Sequence, residues 1–277
     1  MRLRLAHSPD PDDAFMFYGL ACGAVDSGPY MFEHVREDIQ TLNERARRGE
    51  YEVTALSIHA YPYVRDRYAL LSCGASMGDN YGPLVVAREP IGTEELTGRT
   101  IAIPGRLTTA FLTLQLALGR DSFTPQVVMF DQIPHAVAEG RVDAGLLIHE
   151  GQLTYADQKL HRVIDLGVWW LERTGLPLPL GGNAVRRDLG PEVAGDVARL
   201  IRSSVRYGLE HRQAAVAYAL QFGRGLDVPL ADRFIGMYVN EWTLDYGPRG
   251  REAVRRLLAE AHRAELIPEP GPIDFTP

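Results

Sequence analysis

Short apolar runs alternate with amphipathic stretches along most of this chain, and that alternation limits its possible folds more than any other feature. "RLRLAHS", "YMFEHVRED", "YEVTALS", "GPLVVAREP", "TGRTIAIPG", "PQVVMF", "DAGLLI" and "HRVIDLG" read as strands. Between them, "DDAFMFYGLACG", "IQTLNERARRGE", "IHAYPYVRDR", "TTAFLTLQLALG" and "DQIPHAVAEGRV" read as helices, with apolar residues at helical spacing. Strands and helices in such alternation predict an α/β fold with a largely parallel sheet.

The pattern changes at "AREPIG" and again at "RTGLPLPLGGNAVRRDLG". The second stretch is rich in Pro and Gly, yet its leucines require burial, so it reads as an ordered crossing that ends in a strand-like piece. From Pro191 to about Ala264 the pattern is helical, as in "PEVAGDVARLIRSSVRYGLEHR" and "REAVRRLLAEAHRAE". We therefore expect residues 88–177 to form a smaller α/β lobe, and residues 1–87 plus 178–277 a larger, discontinuous one. Two crossings make a hinge, and a cleft between lobes favours ligand binding.

Composition excludes several partners. The chain has 277 residues and a formal net charge of −7, which argues against nucleic acid or an anionic membrane as partner. No apolar run approaches the roughly 20 residues of a membrane span, and no cationic, apolar leader precedes the first strand, so a cytoplasmic protein is expected. Cys22 and Cys73 lack metal-ligand spacing and are expected to be buried thiols.

Three strand ends carry chemistry, since ligands of open α/β sheets bind where strands stop and helix N-termini begin. The first is "AHSPDPDDAF", with Ser8 at the strand's end and Asp10, Asp12 and Asp13 in the turn; Asp12 is expected to cap the helix. The alternative is that the aspartates are turn and cap residues only, their charge suiting a helix N-terminus. The second is "IAIPGRLTTAF": Gly105, then Thr108 and Thr109 opening an apolar helix, a cradle for a carboxylate or phosphate with hydroxyl donors. The spacing and lysine of a Walker loop are absent, and simple capping by Thr108 is the competing reading. The third is "DAGLLIHEGQLTY", where His149 and Glu150 follow a buried strand. An imidazole at a cleft can take up a proton near neutral pH, although a histidine on an apolar face is more often a hydrogen-bonded core residue. "VTALSIHAY" repeats this grammar more weakly with Ser57 and His59.

No metal is expected. Asp10-x-Asp12 looks superficially like the opening of haloacid-dehalogenase phosphatases, but Ala14 stands where those need a hydroxyl, and Lys159 is the single lysine of the middle lobe. No His/Cys cluster has zinc spacing, and no G-x-S-x-G elbow points to a serine hydrolase.

Beyond these readings, the chain resembles the 1,4-dihydroxy-6-naphthoate synthase family of the futalosine route to menaquinone. The carriers are "SPDPDDAFMFYGL", "EDIQTLNERARRGEYEVTALSIHAY", "YGPLVVA", "PGRLTTAFLTL", "EGRVDAGLLIHEGQLTY" and "DLGVWWLERTGLPLPLGGNAVRRDLG". The last two are the most specific. The resemblance implies a two-lobed fold like type II periplasmic binding proteins and a lyase acting on cyclic dehypoxanthinyl futalosine. It also implies a carboxylated small-molecule substrate and no metal or organic cofactor. The family's proposed base falls on His149, its cleft hydroxyls on Ser57, Thr108 and Thr109, and its opening loop on Ser8 to Asp13. The loop departs from the family's S-P-C-P-N-D-T-F pattern: Asp10, Asp12 and Ala14 replace Cys, Asn and Thr. Ser57 is followed by Ile58 and His59 where an aromatic and a small residue are expected. Alternatives on the same fold are a non-catalytic solute-binding protein and chorismate dehydratase, the latter disfavoured by "LLIHEG" and "LPLPLG". Oligomeric state is not legible in the sequence.

Overall fold

The computed structural model describes residues 1–223 and 226–276; residues 224, 225 and 277, which fall within the stretch assigned to the larger lobe, lie outside the described residues. The strands are β1 (Arg2–His7), β2 (Met31–Arg36), β3 (Val53–Ser57), β4 (Tyr68–Leu70), β5 (Ser76–Gly78), β6 (Leu84–Ala87), β7 (Thr100–Ile103), β8 (Thr124–Val127), β9 (Ala144–Leu147), β10 (His161–Asp165) and β11 (Leu178–Arg186). They build two sheets, one in the order β2-β1-β3-β11-β4 with β5 also on β11, the other in the order β10-β6-β9-β7-β8.

Neither sheet is largely parallel. β1 runs parallel to β2 and β3, and β7 to β8 and β9, but β11 is antiparallel to β3, β4 and β5, and β6 is antiparallel to β9 and β10. β6 and β11 are the strands that follow the two crossings, and each enters its sheet against the direction of its neighbours. β6 also corrects the expected boundary, because residues 84–87 pair with the second sheet and the outgoing crossing is residues 79–83. The return stretch "LPLGGNAVR" is a full nine-residue strand in the interior of the first sheet, which buries Leu178 and leaves Leu180 partly exposed in the cavity wall. Two short strands, β4 and β5, gave no distinct signal.

The helices are α1 (Pro11–Met16), α2 (Tyr18–Ala21), α3 (Ile39–Ala46), α4 (Thr109–Leu118), α5 (Ile133–Ala138), α6 (Gly151–Thr154), α7 (Leu166–Thr174), α8 (Gly190–Glu210), α9 (Arg212–Ala219), α10 (Val228–Tyr238), α11 (Glu241–Leu244) and α12 (Gly247–Arg263). "LGVWWLERT" forms α7, capped by Asp165 and missed by the sequence reading. "IHAYPY" is a 3₁₀ turn rather than an α-helix; Pro62 lacks the N–H that a longer helix would use. The C-terminal helices pack chiefly on the first sheet's side: α8 lies on α1 and α2, α9 and α10 on α1, and α12 on β11, with a smaller contact to α4. Their apolar stripes, including Val197, Ile201 and Val205, join Leu3, Leu5 and Phe15 in one core. A second core runs under both sheets through Leu56, Tyr61, Leu112, Trp170 and Leu257, so the two halves share buried surface. No described helix is long and apolar enough to cross a membrane. Both cysteines are free, but Cys22 is exposed, not buried as expected; burial pushes the Cys73 thiol up to about 12.

Candidate active site

A cavity of about 120 Å³, partly open to solvent, lies where the ends of β1, β3 and β9, the first turn of α4 and strand β11 converge. Met16, Ile39, Leu56, Ile148, Leu180 and Phe234 make its apolar wall. Ser8, Asp12, Asp13, Ser57, Thr108, Thr109 and His149 line it too, so the structure gathers most of the sequence-derived candidates around one space. Asp10 and Gly105 do not line it.

The opening loop uses its carboxylates differently from the expectation. Asp10 occupies the N-cap position of α1 but makes no side-chain cap bond, and its backbone oxygen accepts from Ala14 N–H at 3.0 Å. Its carboxylate instead accepts from the Ser8 hydroxyl and lies 3.2 Å (Oδ2) from His149 Nδ1. Asp12 sits in the first turn and is not the cap; its Oδ1 is buried and has no hydrogen-bond partner in the protein. Asp13 Oδ2 accepts from Ser8 N–H at 2.7 Å, which closes the loop on the strand end.

Burial, with the charges of Asp13 and Asp10 adding to it, raises the Asp12 carboxyl well above the usual carboxylate range. Burial pushes Asp13 up to about 7, Asp10 adds to that, and the Ser8 N–H bond opposes it. Both side chains stay partly exposed because they face the cavity, while their other sides are covered by protein. The loop's burial thus disfavours the charged forms of Asp12 and Asp13 relative to free carboxylates.

His149 follows β9 with φ of 55°, a left-handed backbone that is strained for a residue with a Cβ. Gln152 holds it there. Its backbone N–H donates to His149 O at 3.2 Å, and with its side-chain nitrogen turned toward Gly82 O (2.6 Å) its side-chain oxygen accepts from His149 N–H at 3.2 Å and from Tyr238 Oη at 3.0 Å. The Phe130 ring stands at 64° to the imidazole with centroids 4.8 Å apart. His149 Nε2 is buried and makes no hydrogen bond to the protein.

Thr108 and Thr109 stand at the start of α4 as expected, but their hydroxyls are already engaged. Thr108 Oγ1 donates to Gly105 O at 2.8 Å and accepts from Phe111 N–H, the ordinary N-cap bond. Thr109 Oγ1 donates to Leu180 O at 2.5 Å and accepts from His59 N–H at 3.1 Å. The groups left for a ligand are the first-turn backbone N–H groups of Thr109 and Ala110, which have no partner inside the helix. Gly105 serves contact between the halves: a Cβ there would come within 2.3 Å of Gln40 Oε1, and Leu107 N–H donates to that oxygen at 2.8 Å.

Ser57 Oγ accepts from Asn43 Nδ2 at 2.9 Å, which leaves its own proton for a ligand. His59 is buried, its Nδ1 3.1 Å from Thr108 O, and burial holds it down at about 4, so it is a neutral structural residue. The sequence reading missed Asn43, Gln152, Asn183, Phe234 and Tyr238. Tyr238 and Phe234 come from α10, more than 80 positions after His149, and no local pattern separates them from ordinary core residues. Among the described residues, Asp10, Asp12 and His149 bring three possible ligand atoms within 4.8 Å of one another, a spacing that could hold a cation. Two of the three are already turned to each other, and burial disfavours the charged form of the third.

A protein family described as "Menaquinone biosynthesis" matches residues 3–263. The chain belongs to this menaquinone-biosynthesis family. A relative from Thermus thermophilus, named 1,4-dihydroxy-6-naphthoate synthase, is 45% identical over 272 residues, covering 98% of both chains. Another of that name from Streptomyces coelicolor is 40% identical over 278 residues, covering 98% of this chain and 96% of the relative. The crystal structure of an Archaeoglobus fulgidus protein is similar at a TM-score of 0.92 and 50% identity, covering 96% of this chain and 98% of that one. The fold is that of periplasmic binding proteins: a Candida albicans protein described as having that generic fold matches at a TM-score of 0.74 and 13% identity, covering 96% of this chain and 91% of that one. The alkanesulfonate-binding protein of Xanthomonas axonopodis pv. citri, bound to MOPS, matches at 0.73 and 13%, covering 97% and 95%.

Proposed function

We propose that this chain is a lyase that converts cyclic dehypoxanthinyl futalosine to 1,4-dihydroxy-6-naphthoate, with His149 as general base. The observation that carries the reading is His149 itself: an imidazole in the cavity wall whose Nε2 has no protein partner, in a family whose curated relatives bear the synthase name. His149 takes a carbon-bound proton from the substrate. Cleavage of the carbocycle from the sugar remnant follows, and aromatisation of the new ring drives the reaction forward. A positioned base contributes about 10²–10⁴-fold, and a cavity that excludes water adds orientation.

The substrate's carboxylate goes to the N-terminus of α4, where the N–H groups of Thr109 and Ala110 and the hydroxyl of Ser57 can donate. The ring system lies against Leu56, Ile148, Leu180 and Phe234. The raised Asp12 carboxyl, its charged form disfavoured by burial, lowers the repulsion that an acidic loop would otherwise impose on an acidic substrate.

The fold alone would also suit a solute-binding protein, which needs the cleft and the helix N-terminus but no base. Purified protein incubated with cyclic dehypoxanthinyl futalosine separates the two: release of 1,4-dihydroxy-6-naphthoate supports the lyase, and binding without turnover supports the solute-binding protein.

A further inference from the structure

The pair formed by Asp10 and His149 joins the two sheets across the cleft. Asp10 follows β1 of the first sheet, and His149 follows β9 of the second. The Asp10 side chain is 1% exposed and lies behind the cavity wall, whereas the His149 side chain is 16% exposed and in that wall. Asp10 Oδ2 is 3.2 Å from His149 Nδ1 and also accepts from the Ser8 hydroxyl. Asp10 is thus placed behind the wall, against the imidazole that stands in it.

We infer that Asp10 is a positioning residue for His149: it accepts Nδ1–H, so that the Nε2 lone pair is the one presented to the substrate. An ionised carboxylate can only accept, so a neutral imidazole facing it carries its proton on Nδ1. Its other nitrogen is then an acceptor, as a base requires. When Nε2 takes the substrate's proton, the bonding electron pair stays on the substrate carbon. The imidazolium that forms keeps its Nδ1–H bond to Asp10, and the carboxylate compensates the new charge. The Ser8 hydroxyl donates to the same oxygen, Oδ2, and helps fix the carboxylate. Asp12 and Asp13, the remaining acidic side chains of the loop, are not bonded to the ring.

This inference deepens the proposed reaction and depends on it for its kinetic consequence, though not for the bond itself. The test is Asp10→Asn in the full chain, which keeps the size of the side chain but turns an NH₂ toward Nδ1 and favours the opposite tautomer. Nitrogen-15 NMR of the histidine rings at about pH 8, where an ordinary imidazole is neutral, reads the tautomer without any substrate. The parent is expected to show His149 protonated on Nδ1 alone and the variant on Nε2. With cyclic dehypoxanthinyl futalosine the variant is expected to lose about 10²-fold in kcat, with KM within threefold of the parent. An Nε2–H or doubly protonated ring in the parent overturns the inference, as does a variant kcat within threefold of the parent. Should Asp10→Asn fail to fold, the parent spectrum alone decides the bond. An Nδ1–H parent that does not turn over the substrate overturns the proposed function and leaves the pair in place.

Discussion

The Thr109 hydroxyl donates to Leu180 O at 2.5 Å and accepts from His59 N–H at 3.1 Å, tying the first turn of α4 to β11 and to the end of β3. One side chain thus fastens the second sheet's helix to two elements of the first. The hydroxyl that looks in sequence like a ligand donor is engaged in holding the cleft together.

Thr109→Val therefore tests architecture more than binding. It leaves His59 N–H and Leu180 O without that partner, and a buried unsatisfied group costs about 1–3 kcal/mol. The urea midpoint should fall, and substrate affinity should change little in the variant that remains folded. A tenfold loss of affinity at an unchanged midpoint would instead make the hydroxyl a ligand donor. Thr108→Val removes an N-cap and should cost roughly 0.5–2 kcal/mol.

His149→Asn is expected to fold, because asparagine accepts a positive φ more readily than most residues. Turnover of cyclic dehypoxanthinyl futalosine should fall by about 10²-fold or more, while binding measured by calorimetry persists. Turnover near the parent rate would move the base to the aspartate loop, with Asp13 the first candidate.

The pH dependence of stability has two opposed parts. Asp13 is raised from 3.8 to about 7, so the folded state holds a proton that the unfolded chain has released, and its contribution is lost as pH rises through about 7. His7, lowered from 6.5 to about 3 by burial, and His34, lowered from 6.5 to about 4 by burial, act in the other direction; their contribution is lost as pH falls below 6.5 toward those values. Asp13→Asn keeps an acceptor for Ser8 N–H and removes the acid. Denaturation curves should show this variant gaining stability relative to the parent between about pH 4 and pH 8. A difference that is flat with pH would contradict the raised carboxyl.

Gly167→Ala should be severe. A Cβ there would lie 1.9 Å from Tyr81 O and 2.6 Å from Gly82 N, both backbone atoms of the outgoing crossing that cannot step aside like a side chain. Overpacking of this kind costs about 1–3 kcal/mol and sometimes more, so thermal unfolding should show a clear drop in Tm. A parent-like Tm would mean the crossing moves freely.

Chelator treatment should leave turnover unchanged. Added zinc should inhibit, because binding at Asp10, Asp12 and His149 would occupy the imidazole. Activity that disappears with chelator and returns with metal would show that the three residues work as ligands.

The parts of the fold and site that were legible are those written into local order. Apolar periodicity marked β1, β3, β9 and α4, and the turn residues after them marked Ser8, Ser57, Thr108 and His149 as strand-end or helix-start positions. Strand direction was not legible: nothing in "GPLVVAREP" or "LPLPLGGNAV" says that β6 and β11 enter antiparallel, because direction depends on where each crossing delivers the chain.

By itself, then, the sequence determined most of the main strands and helices, the existence of two crossings and a set of polar side chains at strand ends, since each depends on neighbours a few positions away. Only the tertiary structure decided which of those polar groups face the cavity and which bond one another. Asp10 and His149 are 139 positions apart, and Thr109 and Leu180 are 71 apart. Contacts over such separations form only after both sheets have packed and brought the groups within reach. The same burial, not the side chain's own chemistry, lifts Asp12 and Asp13 out of the ordinary carboxylate range.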